Sequence, residues 1–469
     1  MSDAMNTHNQ LFAAQALLPS GWAQNVLLRW DAQGRLTSVE PGVDASCCSV
    51  VAQAAGPVLP GMPNLHSHAF QRGFAGLSEF RGQAQDSFWS WRNLMYRFAA
   101  RLGPQHLEAI ATWLYIEMLE AGYTSVCEFH YLHHQPDGQA YAPDGELSLA
   151  LLRAAQTAGI GITLLPVLYQ NSGFGGQAPN DGQKRFIRRT DNMLRLLESL
   201  APACSAQGAA LGLAPHSLRA VAPQALQEAV QGLHALSAQA PVHIHIAEQM
   251  AEVNACVAWS GQRPVAWLMD HMPVDARWCL VHATHMDEAE YAAAAASQAV
   301  AGLCPLTEAN LGDGIFDLPR WQAGAGRWGI GSDSHIGVNA AEELMMLEYS
   351  QRLQSQQRNV AASVQQPHVG SHMLLAAVQG GAQASGRAVA GLAVGQQADW
   401  VELDGQHLAL AGLPAAEQLD AHVFASSRSS AVASVWVGGQ CRVADGRHPL
   451  HHSAQRSFVA ARTELLQEP

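Results

Sequence analysis

Apolar segments of strand length alternate with helix-like segments through the middle of the chain. The apolar segments are residues 58–66, 124–130, 162–168, 210–215, 241–246, 278–283, 299–304 and 327–333. The clearest helical pattern between them covers residues 104–121, with Pro104 at its start and Gly122 just beyond its end. Proline and glycine favour these two positions of a helix. Strands that are apolar on both faces and alternate with helices predict a parallel sheet.

The number of these units favours a closed barrel over an open sheet. Eight strand-and-helix units in succession are typical of a (β/α)8 barrel. A doubly wound open sheet is the alternative, but no glycine-rich phosphate-binding fingerprint follows any of the strands. We therefore expect an α/β fold built on a TIM-like barrel.

Both chain ends carry shorter, alternating patterns. Residues 25–39 predict a hairpin around the polar turn "DAQGR", and residues 398–404 and 432–448 predict further short strands. Turn signals lie at Gly438–Gly439 and at Asp445–Gly446, as expected between paired strands. We predict that residues 1–58 and 386–469 join in a small β-sandwich domain beside a barrel of residues 59–385.

Composition excludes several classes of protein. The 469 residues carry a net charge of −13, which disfavours nonspecific binding to nucleic acid. The amino terminus lacks the pattern of a signal peptide, and no apolar run of about 18 residues predicts a membrane span. The eight cysteines form no C-x-x-C pair, so we expect buried, reduced thiols in a cytoplasmic protein.

Two histidines close the first apolar segment, in "VLPGMPNLHSHAFQRG". Residues i and i+2 of a strand point to the same face, so His66 and His68 aim two imidazoles at one place. Imidazole is the commonest metal ligand among side chains, although an isolated pair is also typical of an ordinary surface. Two other pairs, His133–His134 and His451–His452, lie in polar turns, where we expect them on the surface.

Ligand-type side chains also end other predicted strands. The active face of such a barrel lies at the carboxyl ends of its strands, so these side chains are expected to meet. Alone, each has an ordinary explanation: a carboxylate at a helix start, a core histidine or a turn aspartate. The candidates from the first, fifth, sixth and eighth segments are His66, His68, His245, Glu248, His282 and Asp333.

This set suits a catalytic metal ion. A catalytic zinc takes three or four protein ligands and keeps one position for water, and His66, His68, His245 and Asp333 would supply the ligands. Glu248 would move protons between that water and a leaving nitrogen, and His282 would stabilise developing charge.

Other assignments at this site are weaker. His243 shares a strand face with His245, but His245 lies nearer the strand end and in register with Glu248. The single lysine, Lys184, lies in a polar loop, where it is badly placed to bridge two metals, so we expect one ion. A structural zinc site is disfavoured because such sites prefer cysteine ligands. Nitrogen and oxygen ligands of this kind suit iron or another divalent ion as well as zinc.

The motifs resemble the amidohydrolase superfamily across nearly the whole chain. The stretches that carry the resemblance are "LPGMPNLHSH", "HIHIAE", "LVHATH", "GSDSH" and "GLAVGQQADWVELD". The resemblance implies a metal-dependent hydrolase and, without a lysine ligand at the fourth strand, the mononuclear deaminase branch. Asp333 then has a catalytic role beside its role as a ligand, and a homodimer is expected.

Within that branch the chain is similar to the formimidoylglutamate deiminase family. The closer match lies in "NLHSHAFQRGFAG", "DSFWSWRNLMYRFA", "SVCEFHYLHH", "APHSLRAV" and "HIHIAEQ". The resemblance implies hydrolysis of the formimino C=N bond of N-formimino-L-glutamate in histidine degradation. It places the substrate-binding positions on Gln71, Arg92, Tyr131 and Arg219, and arginine is the bidentate partner that the carboxylates of such a substrate need.

Two alternatives stay open. A related deaminase would act on a ring such as guanine, cytosine, a triazine or an adenosine derivative, and Trp89 and Trp91 are available to stack on it. A non-catalytic zinc-binding barrel is the other alternative. Such a scaffold would tolerate the loss of Glu248 or His282, yet both residues are present.

Overall fold

The computed structural model describes residues 9–48, 51–79, 88–426 and 429–467, without the side chains of Cys47 and residues 88–93. Its strands are β1 Gln10–Leu18, β2 Gly21–Trp30, β3 Leu36–Glu40, β4 Ala52–Gln53, β5 Val58–Pro60, β6 Met62–Ser67, β7 Tyr123–His130, β8 Gly161–Leu168, β9 Ala210–Leu211, β10 Ala214–Pro215, β11 Val242–Ile246, β12 Trp278–His282, β13 Val300–Leu303, β14 Arg327–Ile330, β15 Trp400–Leu403, β16 Val432–Val437 and β17 Gln440–Val443.

Its helices are α1 Phe88–Ala99, α2 Pro104–Glu120, α3 Glu146–Ala158, α4 Thr190–Ala206, α5 Pro223–Leu236, α6 Met250–Ser260, α7 Pro264–His271, α8 Glu288–Ala296, α9 Pro305–Leu311, α10 Leu318–Ala323, α11 Ala340–Ser355, α12 Val369–Ser385, α13 Ala415–Ala425 and α14 His451–Leu466. Short 3₁₀ helices cover Ala45–Cys48, Ala69–Phe74 and Asp181–Gln183. The helix predicted at residues 104–121 is confirmed as α2, Pro104–Glu120.

The central strands form a parallel barrel. One parallel sheet joins β6, β7 and β8 to the short strands β9 and β10, and a second joins β11, β12, β13 and β14. Parallel bridges between Leu213 and Val242 and between Ser67 and Asp333 connect the two sheets. At the second bridge, Asp333 N donates to His66 O and His68 N donates to Asp333 O. The predicted TIM-like barrel is confirmed.

Two predicted barrel segments are interrupted where the backbone passes very close to a neighbour. Residues 58–66 divide at Gly61, and only β6 belongs to the barrel. A Cβ at Gly61 would lie 2.3 Å from the Thr124 side chain. Residues 210–215 divide at Gly212, where a Cβ would lie 2.4 Å from the Pro241 carbonyl oxygen. Glycine is therefore required at both breaks.

Both chain ends contribute to one further sheet. Its strand order is β17-β16-β15-β5-β1-β2-β3, with β4 beside β1, and the predicted hairpins appear as β2–β3 and β16–β17. A separate apolar cluster lies on it, where Trp400 stacks on Trp436 at 5.0 Å between ring centres. A two-sheet sandwich is not confirmed, and the domain boundaries at residues 58 and 386 stay a prediction.

The sequence suggested a purely β carboxyl-terminal segment, but the structure shows helices there as well. This segment contains α13 and α14, and α14 packs against the barrel helix α2 through Phe458 and Trp113, whose ring centres are 6.1 Å apart. His451 opens α14 and pairs with Glu120 at 2.9 Å. The expected surface position of His451 is therefore wrong, whereas His452 is exposed.

His133 is also buried, against expectation. It is 2% exposed, and its Nε2 lies 2.8 Å from the carbonyl oxygen of Val167 on the barrel strand β8.

Within the described residues, no helix combines the length and the apolar character needed to cross a bilayer. Seven cysteines are described and free; six are buried as expected, and Cys441 is exposed.

Candidate active site

Four of the predicted side chains converge at the carboxyl ends of β6, β11 and β14. His66 Nε2 lies 2.9 Å from His245 Nε2 and 3.5 Å from Asp333 Oδ1. His68 Nε2 lies 3.3 Å from the same Asp333 oxygen. All four side chains are buried. The strand alternation that suggested the pair in the sequence therefore brings both imidazoles to one point.

These distances suit a single divalent ion. Zinc bonds of about 2.0–2.1 Å in a tetrahedron place neighbouring ligand atoms roughly 3.3 Å apart. His68 Nδ1 lies 2.8 Å from the carbonyl oxygen of Phe129, so that nitrogen carries the hydrogen and Nε2 keeps its lone pair. Burial lowers the pKa of His66 to about 3, so its ring is neutral near pH 7. The donor set therefore fits a mononuclear metal site.

His243 stands outside this cluster. Its Nε2 lies 2.8 Å from the carbonyl oxygen of Ala384, which directs the ring into the barrel wall. His335 is buried behind the cluster, where its ring nitrogens lie 3.0 Å from Ser332 Oγ and 3.2 Å from Ser67 Oγ. The structure thus places His245, and neither of these two histidines, among the converging nitrogens.

Glu248 and His282 lie beside the cluster. His282 Nε2 is 3.7 Å from Glu248 Oε1, and its Nδ1 is 3.3 Å from Glu308 Oε1. Burial raises the pKa of Glu248 to about 7. Burial lowers the pKa of His282, but Glu248, Glu308 and Asp333 outweigh it and raise that pKa to about 10. This arrangement places a carboxyl group that exchanges protons near pH 7 beside a cationic imidazole.

Backbone strain is concentrated at these strand ends. Ala247, His282, Ala283, Asp333 and His335 all have φ between 44° and 66°, a region that residues other than glycine seldom adopt. Such strain persists only where the surroundings hold it, and it clusters at functional sites. No local signal in the sequence marked these positions.

A buried carboxylate from β7 supports the histidine pair. Glu128 Oε1 accepts a hydrogen bond of 2.7 Å from Ala69 N, and Oε2 accepts one of 2.6 Å from Ser67 Oγ and one of 3.1 Å from Tyr115. Burial raises the pKa of Glu128 to about 7. Sequence reasoning missed this residue, although a lone glutamate in the apolar run "TSVCEFH" is unusual enough to mark it.

One pocket opens from the cluster. His68, His245, Asp333, Glu248 and His282 line one part of it, and Gln71, Tyr131 and Arg219 also line it. Gln71 Nε2 donates to the Tyr131 hydroxyl at 2.8 Å, and its Oε1 is buried without a partner. No hydrogen bond or ion pair joins Arg219 to another residue within the described ranges. Arg92 lies on α1, but its side chain is outside the described residues.

Further pocket residues were not predicted. Tyr96, Tyr169 and His216 line the same space, and the His216 ring lies 4.9 Å from that of His245. His216 was within the quoted stretch "APHSLRAV", but nothing separated it there from a core histidine. Gln183, between β8 and α4, donates hydrogen bonds to the hydroxyl oxygens of Tyr96 and Tyr169. A glutamine in a polar loop has no sequence pattern that would distinguish it.

Comparison with known proteins places this site in a family. A model described as the amidohydrolase family matches residues 58–442. The chain belongs to the amidohydrolase family. A second model, described as the N-terminal domain of formimidoylglutamate deiminase HutF, matches residues 9–48 of this amidohydrolase.

Individual relatives cover almost the whole amidohydrolase chain. It is 52% identical to a formimidoylglutamate deiminase of Pseudomonas aeruginosa over 97% of this chain and 99% of the relative. A crystal structure of an amidohydrolase from Brucella melitensis is 49% identical, with a TM-score of 0.92 over 98% of this chain and 100% of that one. An adenosine deaminase structure from Xanthomonas campestris with bound zinc is 20% identical, with a TM-score of 0.75 over 97% and 98% of the two chains, and supports the fold alone.

Proposed function

We propose that this amidohydrolase hydrolyses the formimino C=N bond of N-formimino-L-glutamate, in histidine degradation. Water supplies the oxygen, and the products are N-formyl-L-glutamate and ammonia. The relative that is 52% identical over 97% of the chain carries this activity in its name. The match of residues 9–48 to the N-terminal domain of the same kind of enzyme supports the same conclusion.

One observation in the pocket supports a substrate that contains a carboxylate. Arg219 lies in the same pocket as the His66–Asp333 cluster, and no carboxylate within the described ranges pairs with it. Burial lowers the pKa of the Arg219 guanidinium, but the charges of Glu252 and Glu248 outweigh it and keep the group charged. Its Nε is nevertheless buried without a hydrogen-bond partner and needs an acceptor. A substrate carboxylate satisfies that need, since arginine binds carboxylates through two parallel hydrogen bonds.

The residues that would hold the metal are His66, His68, His245 and Asp333. We propose zinc, because three imidazoles and one carboxylate suit it and leave a position for water. When bound, the ion would supply Lewis acidity and lower the pKa of a water molecule to about 7. The adenosine deaminase from Xanthomonas campestris, which shares the fold, is described with bound zinc.

The protein's own groups then move the protons. Asp333 accepts a proton from the attacking water, and Glu248 delivers one to the formimino nitrogen. His282, 3.7 Å from Glu248, stabilises the negative charge that develops on the oxygen of the tetrahedral intermediate. As the intermediate collapses, the Glu248 carboxylate accepts the hydroxyl proton while the C=O bond forms, and the proton held by Asp333 passes to the amino nitrogen, which leaves as ammonia.

Substrate binding is assigned to Gln71, Arg92, Tyr131 and Arg219. Gln71 and Tyr131 are hydrogen-bonded to each other in the pocket wall. The buried, unpartnered Oε1 of Gln71 suits an N–H group of the substrate. Arg92 is proposed as a second carboxylate ligand because it lies on α1, the helix that also carries the pocket residue Tyr96.

The first experiment adds N-formimino-L-glutamate to zinc-loaded protein and measures ammonia release, with guanine and cytosine as parallel substrates. Release from N-formimino-L-glutamate alone supports the proposal. Turnover of a ring and not of the linear substrate would keep the metal site but overturn the roles of Arg92 and Arg219. No turnover of any substrate would favour a non-catalytic barrel.

The remaining assignments are also proposals. We expect a cytoplasmic homodimer with a small-molecule dicarboxylate substrate, and with the end sheet and the barrel as separate domains meeting near residues 58 and 386. Light scattering behind size-exclusion chromatography measures the oligomeric state. A monomer at micromolar concentration would contradict the homodimer.

A further inference from the structure

Asp313 is a buried carboxyl group in the loop that follows α9, and it is 4% exposed. The side-chain amide of Gln249 donates a hydrogen bond to Asp313 Oδ1, whereas Oδ2 is buried without a hydrogen-bond partner. The backbone is held as well: Asp313 N donates to Glu308 O at 2.9 Å, and Asp313 O lies 2.7 Å from His285 Nε2. The carboxyl group is therefore fixed in place, with one oxygen available to hold a proton.

Asp313 lies close to the proposed proton donor Glu248. One carboxyl oxygen of Asp313, one of Glu248 and one ring nitrogen of His282 lie within 4.8 Å of one another. All three side chains are buried. Two carboxyl groups this close in a buried site do not both ionise readily, because like charges repel and little water screens them. We therefore expect the pair to keep one proton.

The surrounding charges do not remove this conflict. His282 is a nearby cation, but its Nδ1 already pairs with Glu308 at 3.3 Å. Burial and the Glu248 carboxylate raise the pKa of Asp313, and His282 offsets only part of that rise. Carboxyl groups outnumber cations among the groups that face the pair, which are His282 on β12, Glu308 on α9, Asp333 after β14, Glu252 on α6 and Arg219 after β10.

We propose that Asp313 is a positioning residue that shares one proton with Glu248 and keeps Glu248 in the protonated form with which the reaction begins. The inference rests on the proposed function, in which Glu248 protonates the formimino nitrogen. Once Glu248 has delivered that proton, both carboxyl groups are ionised. Their repulsion makes Glu248 a stronger base for the hydroxyl proton of the intermediate. Asp313 thus acts through Glu248 and not on the substrate.

A purely structural role gives a different expectation. Asp313 also ties the loop after α9 to Gln249, so its loss would lower stability. A displaced loop would lower kcat/KM by the same factor at every pH. Loss of a shared proton instead changes the pH at which activity disappears, because the pKa of Glu248 falls when the neighbouring negative charge is removed.

The test measures kcat/KM against pH for zinc-loaded wild type, D313N and D313S. Asparagine keeps the shape of the side chain, serine is smaller, and neither side chain supplies a carboxyl proton. The matched control is D399N, which replaces an aspartate that is 5% exposed and accepts a hydrogen bond of 2.7 Å from Gly438 N, at the turn between β16 and β17. Zinc content and melting temperature are measured for each variant.

We expect the alkaline limb of kcat/KM to move about one pH unit toward acid in D313N and D313S, the size of shift that a close like charge produces. On that limb, kcat/KM should be about tenfold below the wild-type value at the same pH, and at lower pH within about twofold of it. D399N should not move the limb. An unmoved limb, an equal loss at every pH, or the same shift in D399N would overturn the inference.

Infrared titration of carboxyl groups in zinc-loaded wild type and E248Q gives a second readout, which needs no substrate and no change at position 313. The wild-type pair should lose its last proton along the alkaline limb. In E248Q, Asp313 titrates without the neighbouring charge, so its proton should be lost about one pH unit lower. If no carboxyl transition takes the place of the wild-type one, Glu248 titrates alone and the inference is wrong. Absence of turnover in the wild type defeats the proposed function instead, and the infrared titration then still decides the role of Asp313.

Discussion

The carboxylate of Glu128 accepts a hydrogen bond of 2.6 Å from the hydroxyl of Ser67, the residue between His66 and His68. Its second oxygen accepts a hydrogen bond from Ala69 N, on the other side of His68. The next residue of β7, Phe129, contacts the His68 ring through its carbonyl oxygen. Strand β7 supplies no proposed ligand, yet it determines where two of them point.

We expect Glu128→Gln to weaken metal binding by about 10- to 100-fold, the usual cost of losing a partner of the ligands. An amide cannot accept all three of the hydrogen bonds that the carboxylate accepts. Competition with a chelator measures the affinity. Tyr115→Phe, which removes one donor, is the graded control and should cost less. Unchanged metal affinity in Glu128→Gln would contradict the supporting role.

Glu248→Gln should lower kcat by about 10²- to 10⁴-fold, the typical contribution of a general acid–base group. The amide keeps the shape of the side chain but cannot carry the proton. Zinc content should stay at the wild-type value because Glu248 is not a proposed ligand. Glu343→Gln is the matched control: Glu343 is an equally buried carboxylate that accepts from Leu306 N outside the pocket. An active Glu248→Gln enzyme would disprove the assigned role.

Arg219→Met should raise KM for N-formimino-L-glutamate by about 10- to 100-fold, because a charge-assisted hydrogen-bond pair to the carboxylate is lost. Steady-state kinetics measures this, with Arg92→Met in parallel. Arg153→Met is the control, since Arg153 pairs with Glu108 and Glu146 on the outer helices. A small effect of both substitutions would favour the neutral ring substrates.

Asp399 should make stability depend on pH. Burial raises the pKa of its carboxyl to about 6 from the ordinary 3.8. The folded state therefore holds the proton more tightly, so the stabilising contribution is complete below about pH 4 and is lost as the pH rises through 6. Relative to Asp399→Asn, the free energy of unfolding should fall by about 3 kcal/mol over that range. Urea titrations at pH 4 to 7 measure it; a constant difference would contradict it.

Periodicity and strand order were enough to predict the barrel and the convergence of the candidate ligands. The alternation of a strand puts His66 and His68 on one face, and the parallel barrel brings β11 and β14 to the same end. Neither rule needs knowledge of side-chain packing. For that reason the predicted ligands meet within 3.5 Å.

What the sequence did not predict depends on contacts between distant elements. Glu128 and Gln183 acquire their partners only when β7 lies beside β6 and the 180–183 turn lies behind α1. The same holds for His133, whose polar neighbours in sequence suggested solvent, but whose ring meets the carbonyl oxygen of Val167. Helix α14 was not predicted because the surface that its apolar face covers, on α2, comes from a distant part of the chain.

The bridge between Ser67 and Asp333 joins the first barrel strand to the end of the last one. Its two backbone hydrogen bonds are made by His66, His68 and Asp333, the residues whose side chains are proposed to bind the metal. The residues that close the barrel are therefore also residues of the proposed metal site. A bound ion would hold the same residues together through their side chains. Metal binding and closure of the barrel would therefore stabilise each other cooperatively.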